Sequence, residues 1–574
     1  MELLERSATM NGHEEPAWER THIRVPRENG SFLIRPDLAA IIQQAERFRD
    51  KPDLSGSAGC CIQNLSLAEF RAAARSEVIE LAAQWTARLL GREVSPAVAA
   101  PVIMTGHQPE LFHPGVFAKN FATAELASRT GGVGLNLVVD NDLLASTRIR
   151  VPTGDRDNPG VSSIEFDAAR SPLPWEEAGV LDFSLLESFA DRVTASMQRW
   201  NIEPLVSSCW PSVVAKARQC SDKGEKASLA ECLTAGRATL EHDWGLGNLE
   251  LPISQLCETR AFRSFAAHIL RNAAEFCRIY NQVLAEYRAV HRIRSTSHPV
   301  PELHSRNDWY ETPFWIWRAD DPRRGRLFVK QSGHALILAT APEQSAIIKS
   351  LTLSPDADDL EAAGTMGELQ SAGLRLRTRA LTTTLFSRLC LCDLFVHGIG
   401  GAKYDAMTDR IASRFFGVTL PEYLTLSATT WLPLGERHSA TDADVSRLRQ
   451  MLRELQQNPQ RYLGSNLPTG VQSLVAEKLE LIAEQNERGD SSSGSESSAR
   501  GHQRYRRFPE INRSLARLTL GQQNLIREEL SLIQQQLAAN RVLTSREFSF
   551  CLYPAGAINS MIDQLRKNLP SVGP

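Results

Sequence analysis

A polar group that could surround an anion interrupts an apolar run near residue 100, and its members are Thr105, Gly106, His107 and Gln108. The preceding residues, 99–104, have the length and composition of a buried strand, and residues 116–129 carry apolar side chains at helical spacing. A glycine loop before a helix offers unpaired N–H groups to an anion, and an imidazole adds a hydrogen-bond donor. We therefore predict a phosphate-binding turn in which His107 stabilises negative charge, with His113 as a second ligand. The alternative is a tight turn whose histidine only bonds a backbone carbonyl.

A second polar group follows the next apolar run, residues 135–139, and consists of Asp140, Asn141 and Asp142. Strand, loop, helix and strand in this stretch predict a βαβ unit with parallel strands and a right-handed crossover. Ligands of open parallel sheets bind at the carboxyl ends of the strands, where both polar groups lie. The oxygens of the second group could hold a ribose, a substrate amine or Mg²⁺. A solvated turn is the alternative reading, and we predict a functional role for all three residues.

A glycine-rich stretch at residues 398–404 repeats this arrangement after a buried strand predicted at 394–396. Glycines permit close approach of a ligand to the backbone, and a lysine supplies a point charge for phosphate. The spacing differs from that of a Walker A sequence, so a plain turn before a helix at 406–416 is the alternative. The residues predicted to bind nucleotide or substrate here are Gly400, Gly401, Lys403 and Tyr404.

Basic residues at the end of the helix predicted at 259–291 form a further candidate anion site. Arg292 and His298 could contact a carboxylate or a phosphate, and arginine matches either group with two parallel hydrogen bonds. Basic residues at a helix C-terminus also suit the helix dipole, which is the structural alternative.

The length, composition and charge of the chain restrict the classes of protein to which it could belong. The chain has 574 residues, too many for one ordinary core, and 42% hydrophobic residues, an ordinary value for a globular protein. A net charge of −3 gives no case for nucleic-acid binding, and the polar, acidic start is unlike a signal peptide. No apolar run approaches the ~20 residues that span a bilayer. We expect a cytoplasmic protein without nucleic-acid or membrane partners, and no metal site among its ten scattered cysteines.

The elements predict an α/β protein with a parallel-sheet core, helical insertions and a C-terminal antiparallel coiled coil. Apolar stripes at 445–455 and 526–537 predict the two halves of the coiled coil, and Leu518, Leu525 and Leu532 add a stripe at seven-residue spacing. A strand is predicted at 548–554. The predicted segments are a disordered 1–15, a first part of the core at 16–160, a helical insertion at 161–300, a second part of the core at 301–435, the coiled-coil arm at 436–545 with a disordered tip at 490–502, and a return to the core at 546–574.

Four stretches of the chain together resemble the cysteine-adding enzymes of bacillithiol biosynthesis. They are Thr105–Gln108 with the Phe112–Ala118 turn into a helix, Val139–Asp142, Gly400–Tyr404, and Leu552–Tyr553–Pro554. They are spread over most of the chain. The sequence departs from the family pattern within the candidate site. The family has a second Gln where this chain has His107, a fuller Glu-Asp-His-Asp signature at 140–142, and Gly-Pro-x-Glu at 400–403.

The resemblance implies a Rossmann-like core similar to that of class I aminoacyl-tRNA synthetases, and a homodimer formed through the coiled coil. The activity that it implies is ATP-linked attachment of cysteine to the amine of an amino-sugar conjugate, glucosaminyl-malate. ATP with Mg²⁺ would then be a substrate, and no tightly bound cofactor is expected. In that scheme the Gly106 and Gly400 turns hold phosphate, and Asp140 or Asp142 orients the attacking amine. A nucleotidyltransferase on the same core and a non-catalytic coiled-coil scaffold remain alternatives.

Overall fold

The computed structural model describes residues 18, 23–37, 60–94, 101–341, 346–354, 356–488 and 497–569. The segment 1–15 that we expected to be disordered lies outside these residues. Contacts divide the chain into two units. The first comprises residues 1–151, 163–432 and 546–574, and the second comprises 152–162 and 433–545.

The described strands, numbered in chain order, are β1 (Ser31–Arg35), β2 (Cys61–Ile62), β3 (Leu65–Ser66), β4 (Val102–His107), β5 (Val133–Val138), β6 (Arg148–Gly154), β7 (Pro159–Glu165), β8 (Leu249–Pro252), β9 (Ser305–Arg306), β10 (Trp309–Arg318), β11 (Asp321–Ser332), β12 (Ala335–Ala341), β13 (Ala346–Thr352), β14 (Leu374–Thr378), β15 (Leu394–His397) and β16 (Tyr423–Thr429).

The described α-helices are α1 (Leu67–Leu90), α2 (Pro114–Arg129), α3 (Phe183–Met197), α4 (Val206–Asp222), α5 (Leu229–Asp243), α6 (Ile253–Leu256), α7 (Arg260–Arg271), α8 (Ala273–His291), α9 (Asp359–Ser371), α10 (Ala380–Phe386), α11 (Ile399–Ile411), α12 (Asp442–Gln457), α13 (Thr469–Arg488), α14 (Ser497–Leu518), α15 (Leu520–Leu543) and α16 (Ala555–Asn568). Short 3₁₀ turns lie at Trp175–Glu177, Gln198–Trp200, Pro459–Arg461 and Phe550–Leu552, and π-helical turns at Ser387–Leu391 and Ala412–Phe416.

A six-stranded, mostly parallel sheet organises the first unit, with the strand order β1-β16-β15-β4-β5-β8. Five of its strands are parallel, and β1 pairs antiparallel with β16 at one edge. The predicted βαβ unit is confirmed as β4, α2 and β5. Short apolar runs such as Val133–Val138, buried at every position, form these strands because both faces of a parallel sheet are covered.

The order of the strands reverses between β4 and β15. From β4 the chain proceeds through β5 to β8 on one side, and from β15 it proceeds to β16 on the other. Since parallel crossovers are right-handed, α2 and α11 cover opposite faces of the sheet. Such a reversal opens a crevice between the two neighbouring strand ends, and in open α/β sheets this is where ligands bind.

A second, antiparallel sheet with the order β13-β12-β11-β10-β14 lies between β8 and β15 in sequence. The segment 301–435, which we predicted as the second part of the core, therefore contains this sheet before the parallel strands resume at Leu394. Strands β10 and β11 form a hairpin with a short turn, because β10 ends at Arg318 and β11 begins at Asp321. A large apolar cluster joins residues of both sheets with α1, α7 and α8.

Three elements differ from their predictions. The helix predicted at 259–291 is two helices, α7 and α8, divided at Asn272. The strand predicted at 548–554 is a 3₁₀ turn, in which Ser549 accepts a hydrogen bond from the N–H of Cys551. The helix predicted to begin at 406 already begins at Ile399, so the glycine-rich stretch is helical.

The second unit contains the four helices α12 to α15. Leu448 and Leu455 of α12 pack against Ile526 of α15, and the predicted coiled coil stays a prediction. The pair runs antiparallel, since the N–H of His438, before α12, bonds Asn540 near the end of α15. Helix α14 begins at Ser497, so the predicted disordered tip at 490–502 is helical from there onward, and residues 489–496 lie outside the description. Among the described residues, no helix is long and apolar enough to cross a bilayer.

Candidate functional site

The two glycine segments predicted to bind phosphate end neighbouring strands at the same edge of the parallel sheet. Thr105 of β4 lies opposite Val396 of β15, and its buried hydroxyl donates to the Val396 carbonyl at 2.9 Å. Gly106 therefore lies beside His397, and Gly398 follows at the entrance to α11. Thr105 thus holds the two strand ends together instead of facing a ligand.

Lys119, on α2, lies between these two strand ends. Its Nζ donates to the Gly106 carbonyl at 2.8 Å, and its Cδ is 3.9 Å from the position that a Cβ on Gly398 would occupy. The side chain is only 4% exposed, and burial lowers the pKa of its ammonium to about 8. Within the described part of the chain it forms no ion pair, so its buried positive charge lies beside the ends of β4 and β15 without an acidic partner.

Lys119 is not among the site residues predicted from the sequence. The signal was present, because Lys119 belongs to a helix in which most side chains are buried, including Phe117 and Phe121. A lysine at a buried helical position is rare unless it is paired, and its isolation becomes visible only from the fold.

The N-terminus of α11 is the second component of the crevice. Gly398 is its N-cap residue, and no described side chain caps the helix. A Cβ on Gly400 would meet no described atom within 4 Å, so this turn is open to a ligand. A Cβ on Gly401 would lie 2.6 Å from Nδ1 of His397, so that glycine is required by the imidazole beneath it.

Lys403 and Tyr404 occupy the following turn and not the predicted loop. The Lys403 side chain is exposed, and its carbonyl accepts a hydrogen bond from the Tyr287 hydroxyl at 2.6 Å. The ring of His298 lies 6.1 Å from that of Tyr404, and both His298 and Arg292 are exposed. Lys403 and Tyr404 therefore lie in the second turn of α11, away from its N-terminus, and His298 lies beside Tyr404.

His107 and His113 are neutral at pH 7. Burial and the nearby charge of Lys119 lower the pKa of His107 to about 3. Burial, Arg546 and Lys119 lower the pKa of His113 to about 4. Nδ1 of His107 faces the Gln108 carbonyl at 3.2 Å and so carries the proton, which leaves Nε2 as an acceptor. In this tautomer His107 cannot donate to an anion, which disagrees with its predicted role in stabilising negative charge.

His113 contributes to the structure of the α2 N-terminus. Its Nδ1 accepts a hydrogen bond from the Gly115 N–H at 3.0 Å and caps the helix. Gly115 itself allows close packing, since a Cβ there would lie 2.4 Å from the Ala428 carbonyl of β16.

Asp142 is the member of the second polar group that remains accessible. Gln108 donates to one of its oxygens and Arg324 to the other, both at 2.9 Å, while 42% of its side chain is exposed. Glu110, in the loop before α2, faces the same carboxylate, and burial followed by the charge of Asp142 raises its pKa. The sequence analysis did not single out Glu110.

Asp140 and Asn141 are buried and used within the protein. Asp140 accepts hydrogen bonds from the N–H of Ser254 at 2.9 Å and from its hydroxyl at 2.5 Å. Burial and then Glu176 raise the pKa of Asp140 to about 7. Asn141 donates to the Thr378 carbonyl of β14 at 2.8 Å. Each is 4% exposed, so these residues fasten the end of β5 to its neighbours.

No protein-family model matches the chain, and no curated protein matches its sequence. Among the described residues, no group of three or more His, Cys, Asp or Glu side chains could hold a metal ion.

Proposed function

We propose that the chain is a ligase that joins an amino acid to an amine after activation by ATP, with the phosphates bound in the crevice between β4 and β15. The observation that carries this proposal is Lys119, a buried ammonium without an acidic partner beside an uncapped helix N-terminus. Free N–H groups and the positive end of the helix dipole favour an anion at that position.

The position in the sheet supports a nucleotide as the source of the anion. In a Rossmann-like core similar to that of class I aminoacyl-tRNA synthetases, nucleotides lie at the carboxyl ends of the strands where their order reverses. The open backbone at Gly400 leaves room for a phosphate there. Lysine is a compact point charge that suits phosphate without a fixed geometry.

We assign the binding of the acceptor amine to the neighbouring acidic residues. Asp142, held by Gln108 and Arg324, presents a fixed and accessible carboxylate beside the crevice. A carboxylate of this kind binds an amine and orients it toward the activated carboxyl group, and orientation is a large part of such catalysis. Cysteine as the amino acid and an amino-sugar conjugate as the amine follow from the family resemblance, as in bacillithiol biosynthesis.

A homodimer formed through the helices α12 to α15, which we call the helical arm, belongs to the same proposal. Leu518, Leu525 and Leu532 are each more than half exposed and repeat every seven residues along α14 and α15. Such a repeat is typical of the contact stripe of a coiled coil. Sedimentation of the protein with Leu525→Lys and Leu532→Lys tests this part, since a dimer should become a monomer.

The decisive experiment measures nucleotide binding by calorimetry. We expect the wild type to bind ATP and ADP, and Lys119→Met to bind them at least 30-fold more weakly (about 2 kcal/mol, a reasonable value for one buried charge-assisted contact). Lys567→Met, an exposed change at the end of α16, is the matched control and should leave binding unchanged.

Product analysis then separates the reaction classes. Release of ADP or AMP together with an amide of cysteine and the amino sugar supports the ligase. Pyrophosphate exchange without cysteine would support a nucleotidyltransferase instead. Equal ATP binding by the wild type and Lys119→Met, or none by either, would rule out the proposal.

A further inference from the structure

Three exposed cations that the proposed ligase site does not use lie just after α8 and in the second turn of α11. They are Arg292, Arg294 and Lys403, and we call them the basic patch. Within the described part of the chain, none of their side chains forms an ion pair or a hydrogen bond. Their charges are therefore open to an anionic partner.

Contacts between α8 and α11 bring the basic patch together. The Tyr287 hydroxyl of α8 donates to the Lys403 carbonyl at 2.6 Å. The ring of His291 lies 4.2 Å from that of Tyr287, and Arg292 follows directly as the C-cap residue of α8. Beyond the two arginines the chain returns to the same turn of α11, where the ring of His298 lies 6.1 Å from that of the residue after Lys403.

Neither the acidic side chains close to the patch in sequence nor the helix dipoles account for it. Those acidic side chains are paired with arginines outside the patch at 2.7–2.8 Å, namely Glu286 with Arg414, Glu302 with Arg288, and both Asp405 and Asp409 with Arg388. The dipole of α8 favours Arg292 at its C-terminus. Lys403 lies in the N-terminal half of α11, where the dipole gives a cation no such support.

Trp18 is anchored next to these two helices. Its ring meets that of Tyr287 edge-on at 5.8 Å, and its Nε1 donates to Glu286 at 3.2 Å. The guanidinium of Arg410 on α11 lies 4.8 Å from the centre of the same ring. The residues that precede Trp18 are therefore tethered beside α8 and α11.

The tethered residues carry the opposite charge to the patch. Residues 1–17, which we call the acidic segment, contain four glutamates and one arginine. Lys403 precedes Arg410 by seven residues of α11, about 10 Å along the helix axis. Glu14 and Glu15 precede the anchored tryptophan by four and three residues, and an extended chain spans up to about 3.5 Å per residue. Both carboxylates are therefore within reach of the patch.

We propose that the acidic segment binds the basic patch of the same chain, with Glu14 and Glu15 against Lys403 and Arg292. Arginine matches a carboxylate with two parallel hydrogen bonds, and lysine adds a point charge. Exposed ion pairs are individually weak, but a short tether raises the effective concentration of the carboxylates to about the millimolar range. The contact does not depend on the proposed ligase function.

The test is cross-linking of the full chain with a carbodiimide, which joins a carboxylate to an amine without a spacer. We expect a product between Glu14 or Glu15 and Lys403, identified by mass spectrometry after digestion. Its yield should fall about tenfold between about 0.01 M and about 1 M salt, because the Debye length falls from about 30 Å to about 3 Å. Lys567, exposed at the end of α16, is the internal control and should give no product with either glutamate.

A pair of variants separates attraction by the patch from the proximity that the tether imposes. Arg292→Gln/Arg294→Gln keeps the amine of Lys403 but removes two of the three charges, so the yield at low salt should fall about fivefold. Arg278→Gln changes an exposed arginine elsewhere on α8 and should leave the yield unchanged.

Three outcomes would overturn the proposal. The first is no product at Lys403 at low salt. The second is a yield that changes neither with salt nor in Arg292→Gln/Arg294→Gln, because proximity alone would then explain the product. The third is seen with a mixture of ¹⁵N-labelled and unlabelled protein, where a product that joins peptides of both kinds would identify a second copy as the partner.

Discussion

The β4 side and the β15 side of the crevice contain the same kinds of residue but have opposite electrostatics. On the β4 side burial, and then the charge of Lys119, lower the pKa of His107, and Lys119 has no acidic partner among the described residues. On the β15 side Arg388 is paired with Asp405 and Asp409, and Asp405 is bonded to His397. On one side the buried cation has no acidic partner among the described residues, and on the other it is balanced by two carboxylates, so the same kinds of side chain give opposite charge balance.

The difference arises from the way in which each cation is buried. The charge of Arg388 is balanced within the protein, and its removal would leave the buried Asp405 carboxylate without its cation. The charge of Lys119 is not balanced by any described acidic side chain, so the folded protein carries an energetic cost that a bound anion would relieve. Stability measurements on matched variants test this contrast.

The largest effect is expected from Arg388→Met. Removing one partner of a buried ion pair costs about 3–5 kcal/mol in the free energy of unfolding. Urea titration of the variant measures this loss. The double variant Arg388→Met/Asp405→Asn should recover part of it, and a double variant no more stable than the single one would show that the unpaired carboxylate is not the cause.

Lys119→Met should act in the opposite direction. The shift in the pKa of Lys119 from 10.5 to about 8 corresponds to ~3 kcal/mol by which folding disfavours the charged form. Without ligand, the variant should therefore be more stable than the wild type below pH 8, by up to this amount. The unfolded chain binds the extra proton between pH 8 and 10.5, so wild-type stability rises with pH there and the difference between the two proteins shrinks. A variant less stable than the wild type at pH 7 would contradict an unbalanced lysine.

The smallest expected effect is the difference in stability between alanine substitutions at Gly400 and Gly401 of α11. Gly401→Ala places a methyl group against the buried His397 ring and should cost about 1–3 kcal/mol, since overpacking strains its neighbours. Gly400→Ala meets open space in a helical turn and should be neutral or stabilising by up to ~1 kcal/mol. Thermal unfolding of both proteins measures the difference, and equal midpoints would mean that the ring can move aside.

The parallel core was predictable because its signals are local. Apolar runs bounded by polar turns identified β4, β5 and β15, and helical spacing identified α2. The start of α11 was not predictable, because three glycines and no capping side chain are typical of a loop. Here tertiary packing, with Gly401 against His397, stabilises a helix that local propensity disfavours.

The site was predictable in position but not in the roles of its residues. The polar groups at the strand ends lie at one edge of the sheet, as the parallel arrangement requires. Whether a carboxylate faces a ligand depends on partners far away in sequence, such as Ser254 for Asp140 and Arg324 for Asp142. A single sequence does not show these partners, nor the lack of one at Lys119.

The first unit is interrupted after Leu432 and resumes at Arg546. Residues on the two sides of this interruption are hydrogen-bonded to each other. The Tyr553 hydroxyl donates to the Thr430 carbonyl at 2.8 Å, and Arg546 donates to the Thr429 hydroxyl at 3.1 Å. The residues before and after the helices of the second unit are thus bonded to each other, so a change in the length of this helical segment need not displace the strands of the first unit.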